Sequence, residues 1–170
     1  MANCNVTLNG MALDCEVSSG GIRRVFIAPW KANTVSGDTL SVSDTKFKTY
    51  EFRKNTGSMT STLTADEVAG TRYYTTELSL VFTRMDATKR AEINALIKAQ
   101  AMVVVEDGNG MYHFLGADEY VSASAGGGAT GTAKGDSSNY SITLKDESRE
   151  LPPIISFDPA TMADVAPKDA

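Results

Sequence analysis

The longest alternation of apolar and polar side chains lies in residues 71–84. Val81 is the only apolar exception on the polar face of this run, and the other face is formed by Tyr74, Thr76, Leu78, Leu80 and Phe82. Because successive side chains of a strand point to opposite sides, the pattern predicts a long strand with one buried and one wet face. At about 3.3 Å per residue this strand reaches on the order of 40 Å, so part of it should extend beyond the domain.

Two further strand-like runs precede this one, over residues 46–54 and 58–65. Their connections are short and close with glycine, at Asn55-Thr56-Gly57 and at residues 66–70, which is typical of tight turns between antiparallel strands. We therefore predict an antiparallel meander whose last hairpin protrudes. The unpaired backbone of such a hairpin needs a partner strand, which we expect from another subunit. The alternative is a long strand wrapped around its own barrel.

Other strand-like runs are shorter and follow turn residues. The pattern favours strands at residues 22–28, 102–106, 111–115 and 139–145. A hairpin is predicted at Asp107-Gly108-Asn109-Gly110, since glycine and asparagine tolerate positive φ. Residues 126–135 are small and glycine-rich, and we expect a mobile loop there.

The carboxyl-terminal part of the chain contains four of its five prolines. Pro152 and Pro153 confine any last strand to a sheet edge, since proline has no amide to donate. Residues 158–170 have few large apolar groups, and we expect an extended tail that orders only against a neighbour. The sequence thus predicts one β domain over residues 1–157, followed by this tail.

Only one segment has the spacing of a helix. Asp86 is a favourable N-cap, and Ile93, Leu96, Ile97 and Ala101 recur at helical intervals. We predict an amphipathic helix over residues 86–99 that covers a sheet and has no binding role. The predicted fold class is therefore mainly β, an antiparallel barrel or sandwich with one flanking helix.

Length and charge narrow the classes of function. The chain of 170 residues suits one domain with a true core, and its formal net charge of −5 lacks the basic surface that nucleic-acid binding needs. An acidic surface is compatible with a wall along which DNA slides without sticking. We find no secretory signal and no apolar run of membrane-spanning length, so we expect synthesis in a cytosol.

Residues for catalysis or metal binding are scarce. His113 is the only histidine and falls in a predicted strand, where we expect a structural or surface role. Cys4 and Cys15 lack metal-ligand spacing and are expected to be free thiols in a reducing cell, although an extracellular particle could oxidise them. Gly126, Gly128 and Gly131 match a dinucleotide-binding spacing, but no helix follows them. We predict no enzymatic activity, no cofactor and no metal site.

Particular segments of the chain resemble a known group of proteins. Residues 46–61, Thr76-Glu77-Leu78, residues 82–86 and the glycine-rich residues 123–136 followed by Tyr140-Ser141-Ile142-Thr143-Leu144 resemble small structural proteins of phages that infect Bacteroidales, including crAss-like phages. The resemblance spans about residues 1–157. It implies a structural virion protein that is assembled in the host cytoplasm and resides in the virion.

The order of strands, long hairpin, helix and closing hairpin resembles the tail-tube fold of long-tailed phages. This resemblance implies rings, usually of six subunits, whose inner sheets merge into one wall and whose long hairpins and termini join one ring to the next. It implies that residues 46–84 supply the wall and the stacking arm, and that residues 86–99 lie outside the barrel. DNA would pass through the lumen only as non-specific cargo during ejection, and other tail or connector proteins would be further partners.

We expect subunit contacts from apolar and aromatic side chains in and beside the long hairpin, with placement in the core as the alternative for each; these are Tyr50, Phe52, Met59, Leu63, Tyr73 and Tyr74. Two other functions remain open. One is a single ring at the head–tail junction, as in a connector, completion or terminator protein. The other is a secreted β-sandwich that binds a carbohydrate or a cell surface, although Trp30 is the only tryptophan available for such a site.

Overall fold

The computed structural model describes residues 6–42 and 45–164. Its strands and helices, in chain order, are β1 Ile22–Pro29, β2 Asn33–Ser36, β3 Thr39–Val42, β4 Phe47–Glu51, β5 Ser58–Asp66, β6 Thr71–Thr83, α1 Ala87–Lys98, β7 Ala101–Asp107, β8 Tyr112–Leu115, β9 Ser122–Ala129, β10 Asn139–Ser148, β11 Ile154–Ile155, α2 Pro159–Met162 and β12 Ala163–Asp164. The fold is mainly β, as predicted, and it is a sandwich rather than a closed barrel.

Two sheets form the sandwich. The larger has the strand order β11-β8-β7-β1-β4-β12, and the smaller has the order β5-β6-β10-β9. Neighbouring strands are antiparallel except β12, which runs parallel to β4. Strands β2 and β3 form a separate hairpin. Alternation on β6 is confirmed, since Leu78, Leu80 and Phe82 are buried between the sheets.

The larger sheet is covered on both faces. Val25, Ile27, Val103 and Val105 point into the core between the sheets, together with Ile93 and Leu96 of α1. The residues between them on β1 and β7 point into a second core, formed by Phe26, Ala28, Leu40, Phe47, Met102, Val104, Phe114, Ile155, Phe157 and Ala163. A strand buried on both faces needs apolar residues without alternation, which explains the continuous apolar runs in β1 and β7.

The predicted carboxyl-terminal tail is wrong over residues 158–164. Asp158 caps the short helix α2, and β12 pairs with β4 of the same chain. Ala163 is buried in the second core, so this segment orders against its own domain. Residues 165–170 lie outside the described residues. The edge strand expected after Pro153 is confirmed, because β11 pairs only with β8 among the described strands.

The predicted three-stranded meander is wrong in one pairing. Strands β5 and β6 form the expected hairpin, but β4 pairs with β1 in the opposite sheet. The chain passes from the larger to the smaller sheet at residues 52–57. Here Asn55 has φ 62°, and Phe52 packs against the core between the sheets, which we call the inner core. A Cβ on Gly57 would lie 2.7 Å from Cδ1 of Ile22 and 2.9 Å from the Phe52 ring, so a larger residue here would force these side chains to shift. Burying Phe47 and Tyr50 on opposite faces of β4 outweighs local hairpin pairing.

Three local predictions can be compared directly with the structure. Helix α1 begins after the N-cap Asp86, whose carboxylate accepts a hydrogen bond from the Lys89 amide, and the predicted helix is confirmed. Ile97, however, was expected on its buried face and is exposed. The hairpin at residues 107–110 is confirmed as the β7–β8 connection. The predicted glycine loop is wrong at its start, because residues 126–129 belong to β9.

Candidate functional site

The smaller sheet presents a polar outer face to solvent. On β6 this face carries Thr75, Glu77, Ser79 and Thr83, and neighbouring strands add mostly small hydroxyl or aliphatic side chains at the paired positions. Charges are few and mixed here, with Lys145 Nζ 3.1 Å from Glu147 Oε1. Such a face has no apolar layer to bury, and it offers neither a basic patch nor an aromatic platform to a polyanion.

Both outer strands of this sheet have one free edge. Within the described part of the chain, β5 pairs only with β6 and β9 pairs only with β10. Each edge is long, with 9 residues in β5 and 8 residues in β9, and most residues of both strands are exposed. Exposed edges of this length present rows of unpaired amide and carbonyl groups, which act as templates for another strand.

The sequence prediction missed β9 because its composition is that of a loop. Strand β9 reads Ser-Ala-Ser-Ala-Gly-Gly-Gly-Ala, residues that have low strand preference when considered alone. Tertiary packing explains the glycines: a Cβ on Gly126 would lie 3.0 Å from the Ser141 carbonyl oxygen, and a Cβ on Gly128 would lie 3.0 Å from the Tyr140 ring. The close approach of β10 thus favours glycine at these two positions, and β9 has no bulky side chains at its edge.

The end of the β5–β6 hairpin projects past the rest of the sheet. Strand β10 pairs with β6 only from Tyr74 onward, so residues 71–73 and their partners on β5 extend beyond it. Leu63 pairs with Tyr74, and both continue the inner face of the sheet past the end of the core. Leu63 is 51% exposed and Tyr74 is half-buried. Tyr73 is exposed on the opposite face, so three of the six predicted contact residues cluster at this end.

The other three predicted contact residues pack within the domain. Tyr50, Phe52 and Met59 are partly buried against the inner core, which agrees with the alternative placement. The Tyr50 hydroxyl donates to Oε2 of Glu92 at 2.9 Å, and its ring lies 6.3 Å from that of Phe82. Burial, and then the Glu92 carboxylate, raise the pKa of Tyr50 well above its usual value. These residues therefore fix α1 and β4 on the sandwich.

A buried polar layer lies between the core and the projecting end. Asp146 on β10 faces Thr76 on β6, and Ser61 Oγ lies 2.9 Å from Thr76 Oγ1. Asp146 Oδ1 is buried and meets no hydrogen-bond partner among the described residues. Burial raises the pKa of Asp146 to about 6; the Gly116 amide opposes this shift, and the charges of Asp118, Glu119 and Glu147 reinforce it.

The single histidine has the structural setting that was expected. His113 Nε2 lies 2.9 Å from Oδ2 of Asp107, while Oδ1 of Asp107 accepts the backbone amides of Asn109 and Met111. Burial opposes ionisation of Asp107, but the bond to His113 and these two amides together lower its pKa. The three bonds close the β7–β8 turn. No nucleophile shares a hydrogen bond with His113 in the described residues.

Metal and nucleotide sites find no support in the described parts of the chain. Over residues 6–42 and 45–164, no three histidine, cysteine, aspartate or glutamate side chains come close enough to hold a metal ion. Cys15 is exposed, and Cys4 lies outside the described residues. Gly126 and Gly128 lie in a strand and Gly131 in the following turn, so no helix amides face them.

No helix of the described chain is long and apolar enough to span a membrane.

Comparison with known proteins does not supply a relative. No protein-family model matches the chain, and no curated protein and no solved structure gives a significant match.

Proposed function

We propose that this protein is a structural virion protein whose copies form rings through the free edges of the smaller sheet. In this arrangement β9 of one copy pairs with β5 of the next copy. The rings stack into a phage tail tube that gives DNA a path during ejection. The observation that carries the proposal is a sheet with two long, exposed edges that pair with no other described strand.

Strand direction supports pairing between copies. Each neighbouring pair in the order β5-β6-β10-β9 is antiparallel, so β5 and β9 run in opposite directions. Copies related by rotation about a ring axis keep their orientation, so β9 of one copy meets β5 of the next in antiparallel register. A head-to-tail contact of this kind closes into a ring when a whole number of equal rotations, each from one copy to the next, completes a full turn. Closure leaves no edge for uncontrolled growth.

The size and surface of such a ring support a conduit. With six copies, as the resemblance to tail-tube proteins implies, a sheet of four strands per copy would close a barrel of about 24 strands. Barrels of roughly 16–18 strands already leave an aqueous channel. The hydroxyl-rich outer face of the smaller sheet, free of a basic patch, would line this channel. DNA would then move without being held by salt-dependent phosphate contacts.

Two measurements on the purified chain test the proposal. We expect negative-stain electron microscopy to show rings and tubes at high protein concentration. Stacked tubes support the tail tube, single rings support the head–tail junction instead, and a monomer at every concentration contradicts both.

Hydrogen–deuterium exchange then locates the contact. On assembly, we expect amides of β5 and β9 to exchange at least about tenfold more slowly, because outward amides gain partners. Strand β11, an edge of the larger sheet, is the internal control and should be unchanged. Assemblies that protect β11 and leave β5 and β9 unchanged would contradict the edge pairing.

A further inference from the structure

Residues 6–17 precede the sandwich and form an N-terminal arm without helix or strand. The arm carries large apolar side chains that are almost fully exposed. Their exposed fractions are 80% for Val6, 89% for Leu8, 101% for Met11, 97% for Leu13 and 96% for Val17. Values this high mean that these side chains bury little surface against the described part of their own chain. So many large apolar groups within one short segment indicate a binding surface rather than a solvated tail.

The spacing of these residues is that of a strand. From Met11 onward, Met11, Leu13, Cys15 and Val17 occupy alternate positions, and Ala12, Asp14 and Glu16 lie between them. Side chains with this period share one face when the backbone is extended. A bend at Glu16, whose amide donates to Oδ1 of Asp14, interrupts the extension in the undocked arm.

The root of the arm is fixed to the domain. The Ser19 amide donates to Oδ1 of Asn109 at 2.7 Å, and the Gly108 amide donates to the carbonyl of Gly21 at 2.9 Å. A Cβ on Gly108 would lie 2.7 Å from the carbonyl oxygen of Gly20, so the two segments pack without room for a side chain. The arm therefore leaves the β7–β8 turn from a defined point. At about 3.3 Å per residue it reaches on the order of 40 Å when extended.

An apolar cleft of about 400 Å³ lies between β4 and α1. Tyr50, Phe82, Ile93 and Leu96 provide its apolar lining, and charged side chains from both elements also line it. Thr88 also lines the cleft and is exposed. Over the described residues the cleft opens beside Thr88, and its lining has the apolar chemistry that a row of methionine, leucine and valine side chains would fill.

We propose that the N-terminal arm of one copy docks into the β4–α1 cleft of a second copy. The inference rests on the proposed self-assembly and adds to it a donor segment and an acceptor site away from the β5 and β9 edges. A second copy is the occupant because the chain supplies both complementary surfaces, yet the large apolar side chains of the arm stay exposed in the described part of the chain. Docking buries Met11, Leu13 and Val17, which explains their exposure in the single chain.

Disulfide trapping tests this docking directly. One protein carries C4S and keeps Cys15 in the arm; a second, differently tagged protein carries C4S, C15S and T88C in the cleft. Mixed under mild oxidation, they should give a cross-linked heterodimer. The control replaces T88C with K98C, an exposed position on the same helix that does not line the cleft. We expect the T88C yield to exceed the K98C yield at least about tenfold, and equal yields would overturn the proposal.

A single chain carrying C4S, Cys15 and T88C tests the choice of occupant. We expect its disulfide to form between chains and to be lost on dilution. Closure within one chain, unaffected by dilution, would mean that the arm fills its own cleft, and the proposal would be wrong.

Charge substitutions in the arm separate this inference from the proposed function. The M11D/L13D variant should weaken association at least about tenfold, because each aspartate would enter an apolar site. The N9D/A12D control adds the same charge at two exposed positions of the arm outside this apolar row and should associate as the wild type does. If M11D/L13D also associates normally while β5 and β9 remain protected, docking is refuted and ring formation stands. If the wild type forms no assembly and no cross-link, both proposals fail.

Discussion

Asp146 shows how one residue sets the pH response of the fold. Its carboxyl is buried between the sheets, with Oδ1 unpaired among the described residues and the acidic groups Asp118, Glu119 and Glu147 nearby. Burial raises its pKa to about 6, above the usual value of 3.8. The folded state therefore holds a proton that the unfolded chain releases. The associated stability is present in full below pH 3.8 and is lost as the pH rises through about 6.

We predict that Asp146→Asn removes most of this pH dependence. The variant should be more stable than the wild type by roughly 2–3 kcal/mol at pH 8, because the neutral amide avoids a buried charge. Urea unfolding at pH 4, 6 and 8 measures the difference. Glu67→Gln is the control, since it removes an equal charge from an exposed residue of the β5–β6 turn that is not among the groups raising the Asp146 pKa, and it should keep the wild-type profile. An Asp146→Asn variant with an unchanged slope between pH 4 and 6 would rule out this assignment.

At the scale of elements, the end of the β5–β6 hairpin extends beyond the packed core and exposes apolar surface that another subunit can contact. Leu63 continues the inner face of the sheet beyond the core and remains half exposed, although its strand partner Tyr74 is half-buried beside it. Polar Ser61 and Thr76 lie between this pair and the core. The β5–β6 hairpin thus ends in a small exposed apolar surface that another subunit can cover.

We predict that Leu63→Asp weakens subunit association about tenfold or more and changes the unfolding free energy of the monomer by less than ~0.5 kcal/mol. Analytical ultracentrifugation measures the first quantity, and urea unfolding of dilute protein measures the second. Ile97→Asp on α1 is a matched control, because Ile97 is exposed to the same degree, 52% against 51%. The proposal places α1 outside the ring wall, so this control should assemble normally. Equal effects of the two substitutions would contradict the placement of the interface.

For the whole molecule, the second core makes the carboxyl-terminal segment part of the fold. Phe157 lies among three other rings, with centroid distances of 4.9 Å to Phe26 and 5.5 Å to both Phe47 and Tyr112. It covers the outer face of the larger sheet, which would otherwise expose Phe26, Phe47 and their apolar neighbours. Among the described residues nothing covers the outer face of the smaller sheet in this way, and this asymmetry leaves that polar face and the edges of the sheet exposed.

We predict that Phe157→Ala destabilises the protein by about 3–5 kcal/mol, through lost burial and a cavity among the rings. Thermal and urea unfolding measure this loss. Leu151→Ala is the control; it truncates an exposed side chain of the same segment and should cost less than ~0.5 kcal/mol. A Phe157→Ala variant as stable as the wild type would mean that the segment is only loosely attached.

The sequence by itself determined the elements whose signals are local. The alternation in residues 71–84 gave β6 and its buried face, Asp86 gave the start of α1, and Asp107-Gly108-Asn109-Gly110 gave the β7–β8 hairpin. Each depends on periodicity, a cap or a turn, which nearby residues specify. The sequence also placed Leu63, Tyr73 and Tyr74 on the projecting hairpin.

Only the tertiary structure decided which strands pair and what each face covers. Strand β4 pairs with β1 and not with β5, the next strand in sequence, because Phe47 and Tyr50 need apolar surfaces on opposite sides of β4. The glycine-rich β9 is a strand because it pairs with β10, and Asp146 is buried because strands distant in sequence enclose it. These outcomes depend on contacts between residues far apart in the chain, where long-range burial overrides local preference.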